Sequence, residues 1–309
     1  MNPVNLPPDI LENNAGRGEA VRAWLDALPA TIARCAERWS LELGECFPEV
    51  SYNYAAPARR ADGSHVVLKV TFPDRDFVSE VAALEAFGPG RGAIGLLEVD
   101  RASGAMLLER AMPGTQLAPL ARIDDARATA IAAQVMRALR RDVPADSSPF
   151  VTLELWSEAF DRARGRLPGG RGIGELPPRL VDRAEGVYRE LLASSGPPVL
   201  LHGDLHHGNI LEVEGGRWVA IDPKGVIGEP AFETAVFLHD PIPEFITWPG
   251  WERLLQRRMA QLADELALDR ERIRGWAIAQ SVLSALWFIE DDDEDGHRYE
   301  LAVASALTA

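Results

Sequence analysis

The sequence predicts an α+β fold in which a small antiparallel sheet precedes a mainly helical remainder. Between residues 41 and 109, short apolar runs alternate with Gly, Pro and Asp turn signals, as expected of strands. Beyond residue 114, apolar residues recur at helical spacing, interrupted by one island of strand near residues 199–225. A chain of 309 residues accommodates two lobes. We place them at residues 1–110 and 111–309.

The composition is that of an ordinary globular protein, with 47% hydrophobic and 26% charged residues. No apolar run is long enough to span a bilayer, and the polar N-terminus lacks the features of a secretory signal. We expect Cys35 and Cys46 to be reduced thiols of a cytoplasmic protein. The net charge of −15 argues against nucleic acid or membrane partners, because both need a basic face. A cationic small substrate and a monomer or small homo-oligomer are compatible with it.

The first lobe is predicted to open with an extended arm over residues 1–15. A helix over 16–39 follows, in which Pro29 marks a kink or break. Strands are expected over residues 41–47, 50–55, 65–72, 96–100 and 105–109. A helix is expected over 74–87, and Asp62-Gly63 signals the turn between the second and third strands.

Lys69 lies inside an otherwise apolar strand, residues 66–70. A buried ammonium without a partner is costly, so this side chain needs a carboxylate nearby. The following helix offers two, and we expect Glu80 to be the partner with Glu85 in reserve. The alternative is that Lys69 lies on a solvated face of the strand.

The residues with the clearest chemistry are Asp204, Asn209 and Asp222. Each carboxylate follows a strand-like apolar run, and Asn209 lies five positions after Asp204. In phosphoryl transfer, this order supplies an acid that accepts the hydroxyl proton and then two Mg²⁺ ligands. A β-hairpin with a polar connection would use some of the same residue types. The ordered set in a strand–loop–strand context favours the catalytic interpretation.

The second lobe is predicted to be helical apart from this island. Helices are expected over residues 124–141, 153–164, 178–193, 231–239, 250–266 and 270–290. Residues 165–177 are rich in Gly and Pro and predict a surface loop. An acidic run over 290–295 precedes a last segment over 298–309.

With these motifs in place, the chain resembles the aminoglycoside/hydroxyurea antibiotic resistance kinase family, which includes streptomycin 6-kinases. Two stretches carry the likeness: Leu-His-Gly-Asp-Leu-His-His-Gly-Asn at 201–209, and Ala-Ile-Asp-Pro-Lys-Gly-Val-Ile-Gly-Glu-Pro-Ala-Phe-Glu at 220–233. The resemblance implies a two-lobed protein-kinase-like fold that binds ATP between its lobes. It also implies that Asp204 orients or deprotonates the acceptor hydroxyl, and that Asn209 and Asp222 coordinate Mg²⁺.

The same resemblance implies that Lys69, paired with Glu80, holds the α- and β-phosphates. The segment from Glu109 to Ala111 would be the hinge that contacts adenine. Two features depart from protein kinases. No Gly-x-Gly-x-x-Gly loop joins the first strands, and Lys224 has no counterpart, so it either touches a phosphate or pairs with a local acid.

The acceptor site is predicted near Glu290, Asp291, Asp292 and Asp293. This run resembles, in position, the acids with which such kinases hold cationic aminoglycosides, and carboxylates match the guanidinium groups of streptomycin. A solvated charge run is the alternative. We therefore expect an ATP- and Mg²⁺-dependent O-phosphotransferase acting on streptomycin or a related aminoglycoside.

Three other functions stay open on the sequence alone. Hydroxyurea and an unidentified small metabolite are alternative acceptors, and hydroxyurea would not need the acidic run because it is small and neutral. A non-catalytic nucleotide-binding pseudokinase is the alternative from a different class. The intact set of Lys69, Asp204, Asn209 and Asp222 argues against it.

Overall fold

The computed structural model describes residues 6–48, 50–165, 176–290 and 293–308. An antiparallel sheet of five strands lies in the N-terminal part, in the order β1-β2-β3-β5-β4. Its strands are β1 (Leu41–Leu43), β2 (Tyr54–Arg60), β3 (His65–Val70), β4 (Leu96–Asp100) and β5 (Ala105–Glu109). The predicted combination of a small antiparallel sheet and a helical remainder is confirmed.

Helices cover both faces of this sheet. The helix α2 (Glu19–Arg38) packs on the face that carries Val66 and Leu68. The helix α3 (Arg75–Phe87) belongs to the larger core on the opposite side. Because side chains alternate along a strand, Lys69 projects to the α3 side of the sheet, opposite to Val66 and Leu68.

The structure differs from the predictions at three places in the N-terminal part. Residues 8–14 are helical rather than extended: α1 (Pro8–Asn14) has Pro at its first position, where the missing N–H is no loss, and buries Ile10. Pro29 does not break α2. Leu28 and Ile32, one residue before it and three residues after it in the same helix, are fully buried. Strand β2 runs through Pro57 to Arg60, so the turn is confined to residues 61–64.

The remainder of the chain is mainly helical. Its helices are α4 (Ala118–Ile123), α5 (Asp125–Leu139), α6 (Leu153–Gly165), α7 (Pro178–Ala193), α8 (Glu233–His239), α9 (Trp251–Leu266), α10 (Arg270–Glu290) and α11 (Glu294–Thr308). The last helix begins at Glu294, inside the acidic run and four residues before the last segment that the sequence indicates. Within the described ranges, no helix combines the length and apolar character that a membrane crossing requires.

Short strands among these helices position the motif residues. They are β6 (Pro113–Gln116), β7 (Arg141–Asp142), β8 (Val151–Thr152), β9 (Val199–Leu201), β10 (Ile210–Val213), β11 (Arg217–Ala220) and β12 (Val226–Gly228). They form two sheets, β11-β10-β6 and β7-β9-β12-β8. Strand β9 leads directly to Asp204 and β11 leads to Asp222. The Ile94 N–H donates to the Ala220 carbonyl at 2.9 Å, which ties the segment before β4 to β11.

A buried guanidinium joins three of the C-terminal helices. Arg258 of α9 is fully buried, and its Nε and Nη2 donate to Asp125 Oδ1 at the start of α5, at 3.0 and 2.7 Å. Its Nη1 donates to the carbonyls of Leu238 and Asp240 at the end of α8. Because a buried cation requires paired acceptors, this cluster fixes where α8 ends.

The cluster yields a stability prediction. Asp125→Ala leaves the Arg258 guanidinium buried without its carboxylate and should lower the unfolding free energy by about 3–5 kcal/mol. Urea denaturation followed by circular dichroism measures the change. Arg257 contacts the same carboxylate from a half-exposed position. Arg257→Ala is therefore the control, with an expected loss of about 1 kcal/mol or less. Equal losses in the two variants would contradict the interpretation.

Candidate active site

Lys69 lies between two carboxylates from distant parts of the chain. Its ammonium is 2.6 Å from Glu80 Oε1 and 3.2 Å from Asp222 Oδ1, and its side chain is only 5% exposed. The reserve partner Glu85 instead pairs with Arg101 at the surface. Burial by itself lowers the pKa of Lys69, but Asp222 and Glu80 outweigh it and raise the pKa above its ordinary value. Lys69 is therefore a charged, buried residue rather than one on a solvated face.

Ser79 docks α3 against the loop that carries Asp222. Its hydroxyl donates to the carbonyl oxygens of Lys224 and Gly225, at 2.7 and 3.1 Å. Gly225 has φ +67°, and a Cβ there would lie 2.7 Å from Ser79 Oγ, so the close approach requires glycine. This contact holds Glu80, the next residue on α3, in register with Asp222.

Asp222 itself adopts a left-handed backbone conformation, with φ 58°, which Asp tolerates better than most residues. Its side chain is 45% exposed. The partial burial acts to raise the pKa of its carboxyl, but Lys69, and behind it Lys224, lower the pKa below its ordinary value. The group is therefore an ionised carboxylate that is both anchored by Lys69 and open to a ligand.

His202 supports the loop that carries Asp204. Its Nδ1 accepts the Asp204 N–H at 3.2 Å, and its Nε2 contacts the Ile221 carbonyl oxygen at 2.8 Å. The partners indicate a neutral ring with its proton on Nε2. Burial agrees with this, because it lowers the pKa of His202 to about 4. The backbone carbonyl of His202 also accepts the Lys224 N–H at 2.8 Å, which links the loops of the two aspartates.

Glu233, at the start of α8, is the buried acid that holds the loop carrying Asp204. Its carboxylate accepts the backbone N–H groups of His202 and Gly203, at 2.6 and 3.0 Å. Gly203 has φ +84°, and a Cβ there would lie 2.3 Å from Val226 Cγ2. Burial raises the pKa of Glu233 to about 7, although the two donors act to lower it.

Asn209 faces Asp204 across the short turn between them. Its Nδ2 donates to the Asp204 carbonyl oxygen at 2.9 Å, which leaves the amide oxygen directed away from that bond. The backbone carbonyl of Asn209 accepts the Ile221 N–H at 2.9 Å, next to Asp222. Among the described residues, no group donates to the half-buried carboxylate of Asp204. Asp204, Asn209 and Asp222 therefore lie on adjoining loops, as the spacing predicts.

A second buried acid holds the other end of this turn. Asp240 Oδ2 accepts both the backbone N–H of His207 at 2.8 Å and its ring Nδ1–H at 2.6 Å. Burial acts to raise the pKa of Asp240, but the bonds from His207 outweigh it and lower the pKa. His206 Nδ1 accepts the Gly208 N–H at 3.1 Å. Both histidines thus support the turn through hydrogen bonds to nearby groups.

The predicted hinge residues lie at the end of β5. The Glu109 carboxylate accepts the Gly95 N–H at 3.0 Å, so this side chain braces the neighbouring loop. Ala111 is half-buried and precedes β6. What this segment can offer a purine is its backbone rather than the Glu109 side chain.

The predicted acidic run is only partly described. Glu290 ends α10 with its side chain 24% exposed and lies 3.7 Å from Arg162. Asp293 Oδ1 accepts the Gly296 N–H at 2.9 Å and caps α11. Asp291 and Asp292 lie outside the described residues.

Sequence reasoning missed the roles of Ser79, Glu233 and Asp240. The available signal was weak: Glu233 is a lone acid among Ala231, Phe232 and the apolar residues of α8. An acid in such a run must find buried donors, but the pattern does not say which ones.

Glu233 yields a prediction about stability and pH. Its carboxyl titrates near pH 7 when folded, against an ordinary value of 4.5, so the folded chain binds more protons between these values. The stability that this group contributes is complete below about pH 4.5 and is lost as the pH rises towards about 7. Glu233→Gln cannot titrate. The unfolding free energy of wild type minus that of this variant should therefore fall as the pH rises through that range.

Urea denaturation at several pH values measures this difference. The matched control is Glu214→Gln at an exposed position, whose difference from wild type should not change with pH. A pH-independent difference for Glu233→Gln as well would contradict the assignment.

Comparison with known proteins shows what this chain is similar to. The Streptomyces griseus streptomycin 6-kinase is 31% identical, over 98% of this chain and 97% of the relative. A hydroxyurea phosphotransferase from Kitasatospora aureofaciens is 32% identical, over 98% of this chain and 86% of the relative. The structure of an amicoumacin kinase in complex with AMP-PNP and Ca²⁺ has a TM-score of 0.67 at 13% identity, covering 92% of this chain and 95% of that one. The predicted protein-kinase-like fold is thereby confirmed.

The family assignment follows from the match over most of the sequence. The model of one family spans residues 42–292, which includes Lys69, Glu80 and both aspartate loops. Together with the relatives above, this match confirms the predicted kinase with a hydroxyl acceptor. The chain belongs to the aminoglycoside/hydroxyurea antibiotic resistance kinase family.

Proposed function

We propose that this protein is an ATP- and Mg²⁺-dependent O-phosphotransferase that modifies streptomycin or a related aminoglycoside. One observation carries the proposal. The buried ion pair of Lys69 and Glu80 meets Asp222 within 3.2 Å, on a loop hydrogen-bonded to the one that carries Asp204. Phosphoryl transfer needs this combination of a fixed cation and two differently placed carboxylates, because catalysis depends on positioning and charge neutralisation.

In this proposal the chain forms two lobes, residues 1–110 and 111–309, and the nucleotide binds between them. Lys69 would hold the α- and β-phosphates, since its ammonium is fixed by Glu80 and still borders the open side of Asp222. The backbone from Glu109 to Ala111 would face the adenine edge. The side chain of Glu109 takes no part, because it is engaged with Gly95.

Asn209 and Asp222 fit the requirements of a magnesium site. Both offer oxygen, the ligand type that Mg²⁺ prefers, and the Asn209 amide nitrogen is already used by the Asp204 carbonyl. Few protein ligands are needed, because Mg²⁺ keeps waters and phosphate oxygens in its shell. When bound, the ion would neutralise charge on the phosphates.

Asp204 would orient the acceptor hydroxyl and take its proton. Its carboxylate is half-buried and receives no donor from the described residues, so it is available to a substrate hydroxyl. An alcohol is far from ionised at neutral pH, so the proton moves late, as the new P–O bond forms. His202 and Glu233 keep the backbone of the loop in place during this step.

Hydroxyurea is the second candidate acceptor. The chain is 32% identical to a hydroxyurea phosphotransferase and 31% identical to the streptomycin 6-kinase, so sequence identity does not separate the two acceptors. Acidity favours the aminoglycoside, because the net charge of −15 and the acids at the end of α10 suit a cation.

A coupled ADP-release assay tests the reaction and the role of Asp204. The panel contains streptomycin, other aminoglycosides and hydroxyurea. Asp204→Asn keeps the shape of the side chain but cannot accept the proton, so kcat should fall by about 10²–10⁴ while ATP affinity is retained. The control is Asp264→Asn on the exposed side of α9, which should match wild type. Unchanged turnover in Asp204→Asn would refute the assignment.

Glu290 provides a test that separates the two acceptors. If the end of α10 holds a guanidinium, Glu290→Gln should raise the KM for streptomycin by about tenfold, because it removes one charge-assisted bond. The KM for hydroxyurea should not change. Glu294→Gln, at a side chain that is 77% exposed, is the matched control. Equal KM values for streptomycin in both variants would remove this residue from the acceptor site.

A further inference from the structure

The two lysines of this protein have unusual positions. Lysine occurs only at residues 69 and 224 of the sequence, and the other side chains that are cationic at neutral pH are arginines. Both lysines lie on the elements that meet at Asp222. A chain that uses arginine elsewhere for surface charge and ion pairs thus has an ammonium at two places, and one of them is the buried Lys69. The other needs an explanation.

The backbone of Lys224 is held on both sides. Its N–H donates to the His202 carbonyl at 2.8 Å, and its own carbonyl accepts the Ser79 hydroxyl at 2.7 Å. A Cβ placed on Gly203 would lie 3.4 Å from Lys224 Cβ, so the side chain starts beside the residue that precedes Asp204. Lys224 therefore emerges between the two functional aspartates from a rigid support.

The ammonium of Lys224 is not part of a structural ion pair. The side chain is exposed, and no carboxylate of the described residues lies within 4.0 Å of it. It is nevertheless close enough to act electrostatically on both Asp222 and Glu80. Of the two alternatives that the sequence leaves open for Lys224, pairing with a local acid is thus excluded for the described part of the chain.

We propose that Lys224 is a catalytic residue whose ammonium contacts the γ-phosphoryl group of ATP during its transfer. This inference rests on the proposed kinase function and adds a second cation to it. Lys69, on strand β3 of the N-terminal part, is committed to Glu80 and Asp222. The side chain of Lys224 leaves the backbone beside Gly203, the neighbour of Asp204. The transferred group must lie near Asp204 if it is to meet the acceptor hydroxyl.

The step balances without a proton from Lys224. The bond from the γ-phosphorus to the bridging oxygen of ADP breaks, the bond to the acceptor oxygen forms, and the hydroxyl proton goes to Asp204. Lys224 stays protonated and donates hydrogen bonds to non-bridging oxygens, where charge is concentrated. A compact ammonium on a flexible stem can follow these oxygens as the group moves, which a planar guanidinium fork does less well.

Nucleotide binding distinguishes a contact of Lys224 with the γ-phosphate from a general effect of its charge on nucleotide affinity. Isothermal titration calorimetry with Mg²⁺ compares ADP with the non-hydrolysable β,γ-imido analogue of ATP. Lys224→Met should weaken binding of the analogue by about tenfold or more, since a charge-assisted bond to the γ-phosphate is lost. ADP affinity should stay within about twofold of wild type. Lys224→Arg keeps the charge and should restore most of the loss.

The same titrations include a control variant outside the proposed site. Arg253→Met removes an exposed cation from α9 and should bind both nucleotides as wild type does. Equal weakening of ADP and analogue, or of neither, in Lys224→Met would overturn the role at the γ-phosphate while leaving the kinase function intact. Failure of wild type to bind either nucleotide would overturn the kinase function itself and this inference with it.

A second measurement uses the native chain and needs no variant. N-hydroxysuccinimidyl acetate acylates amines, and Lys224 is the exposed lysine, whereas the side chain of Lys69 is 5% exposed. Mass spectrometry of the digested protein then reports modification at each lysine. The β,γ-imido analogue with Mg²⁺ should protect Lys224 strongly, while ADP leaves it near the level of the free protein. Equal protection by the two nucleotides, or none, would refute the contact.

Discussion

The burial of one ammonium organises this site. Lys69 lies 2.6 Å from Glu80 and 3.2 Å from Asp222, and the loss of either partner would leave a buried charge undercompensated. The requirement draws β3, α3 and the loop after β11 to one point. Ser79 adds a neutral hydrogen bond to the same junction, so the position of Asp222 does not depend on the ion pair alone. The buried cation and the partly exposed carboxylate of Asp222 are thereby parts of one contact.

The four acids on and beneath the two aspartate loops divide into two groups by burial. Glu233 and Asp240 are buried, accept backbone N–H groups from the loop between β9 and β10, and keep its shape. Asp204 and Asp222 are partly exposed at the ends of adjoining loops and remain open to ligands. Behind Asp240, the guanidinium of Arg258 connects the loop to α5 and α9, so much of the helical core supports the position of a few atoms.

Local pattern was sufficient for most of the fold and part of the site. The five-stranded sheet, α3 and most C-terminal helices follow from apolar periodicity and turn signals. The need of Lys69 for a carboxylate on the following helix follows from a lysine in an apolar strand before that helix. The pattern failed where packing outweighs propensity. Pro29 lies inside α2 between buried residues, and the acids of residues 294–295 begin a helix that Asp293 caps.

The sequence by itself determined the order and spacing of Asp204, Asn209 and Asp222, because a short turn between strands brings residues this close in the chain onto neighbouring loops. Tertiary structure decided which distant groups complete them. Ser79 and Lys224 are 145 positions apart, and Glu233 and His202 are 31 apart. The choice of Glu80 over Glu85, and the absence of an acid beside Lys224 in the described part of the chain, depend on how whole helices pack. Periodicity gives the face of a helix but not the partner that the face meets, and here the partner sets the chemistry.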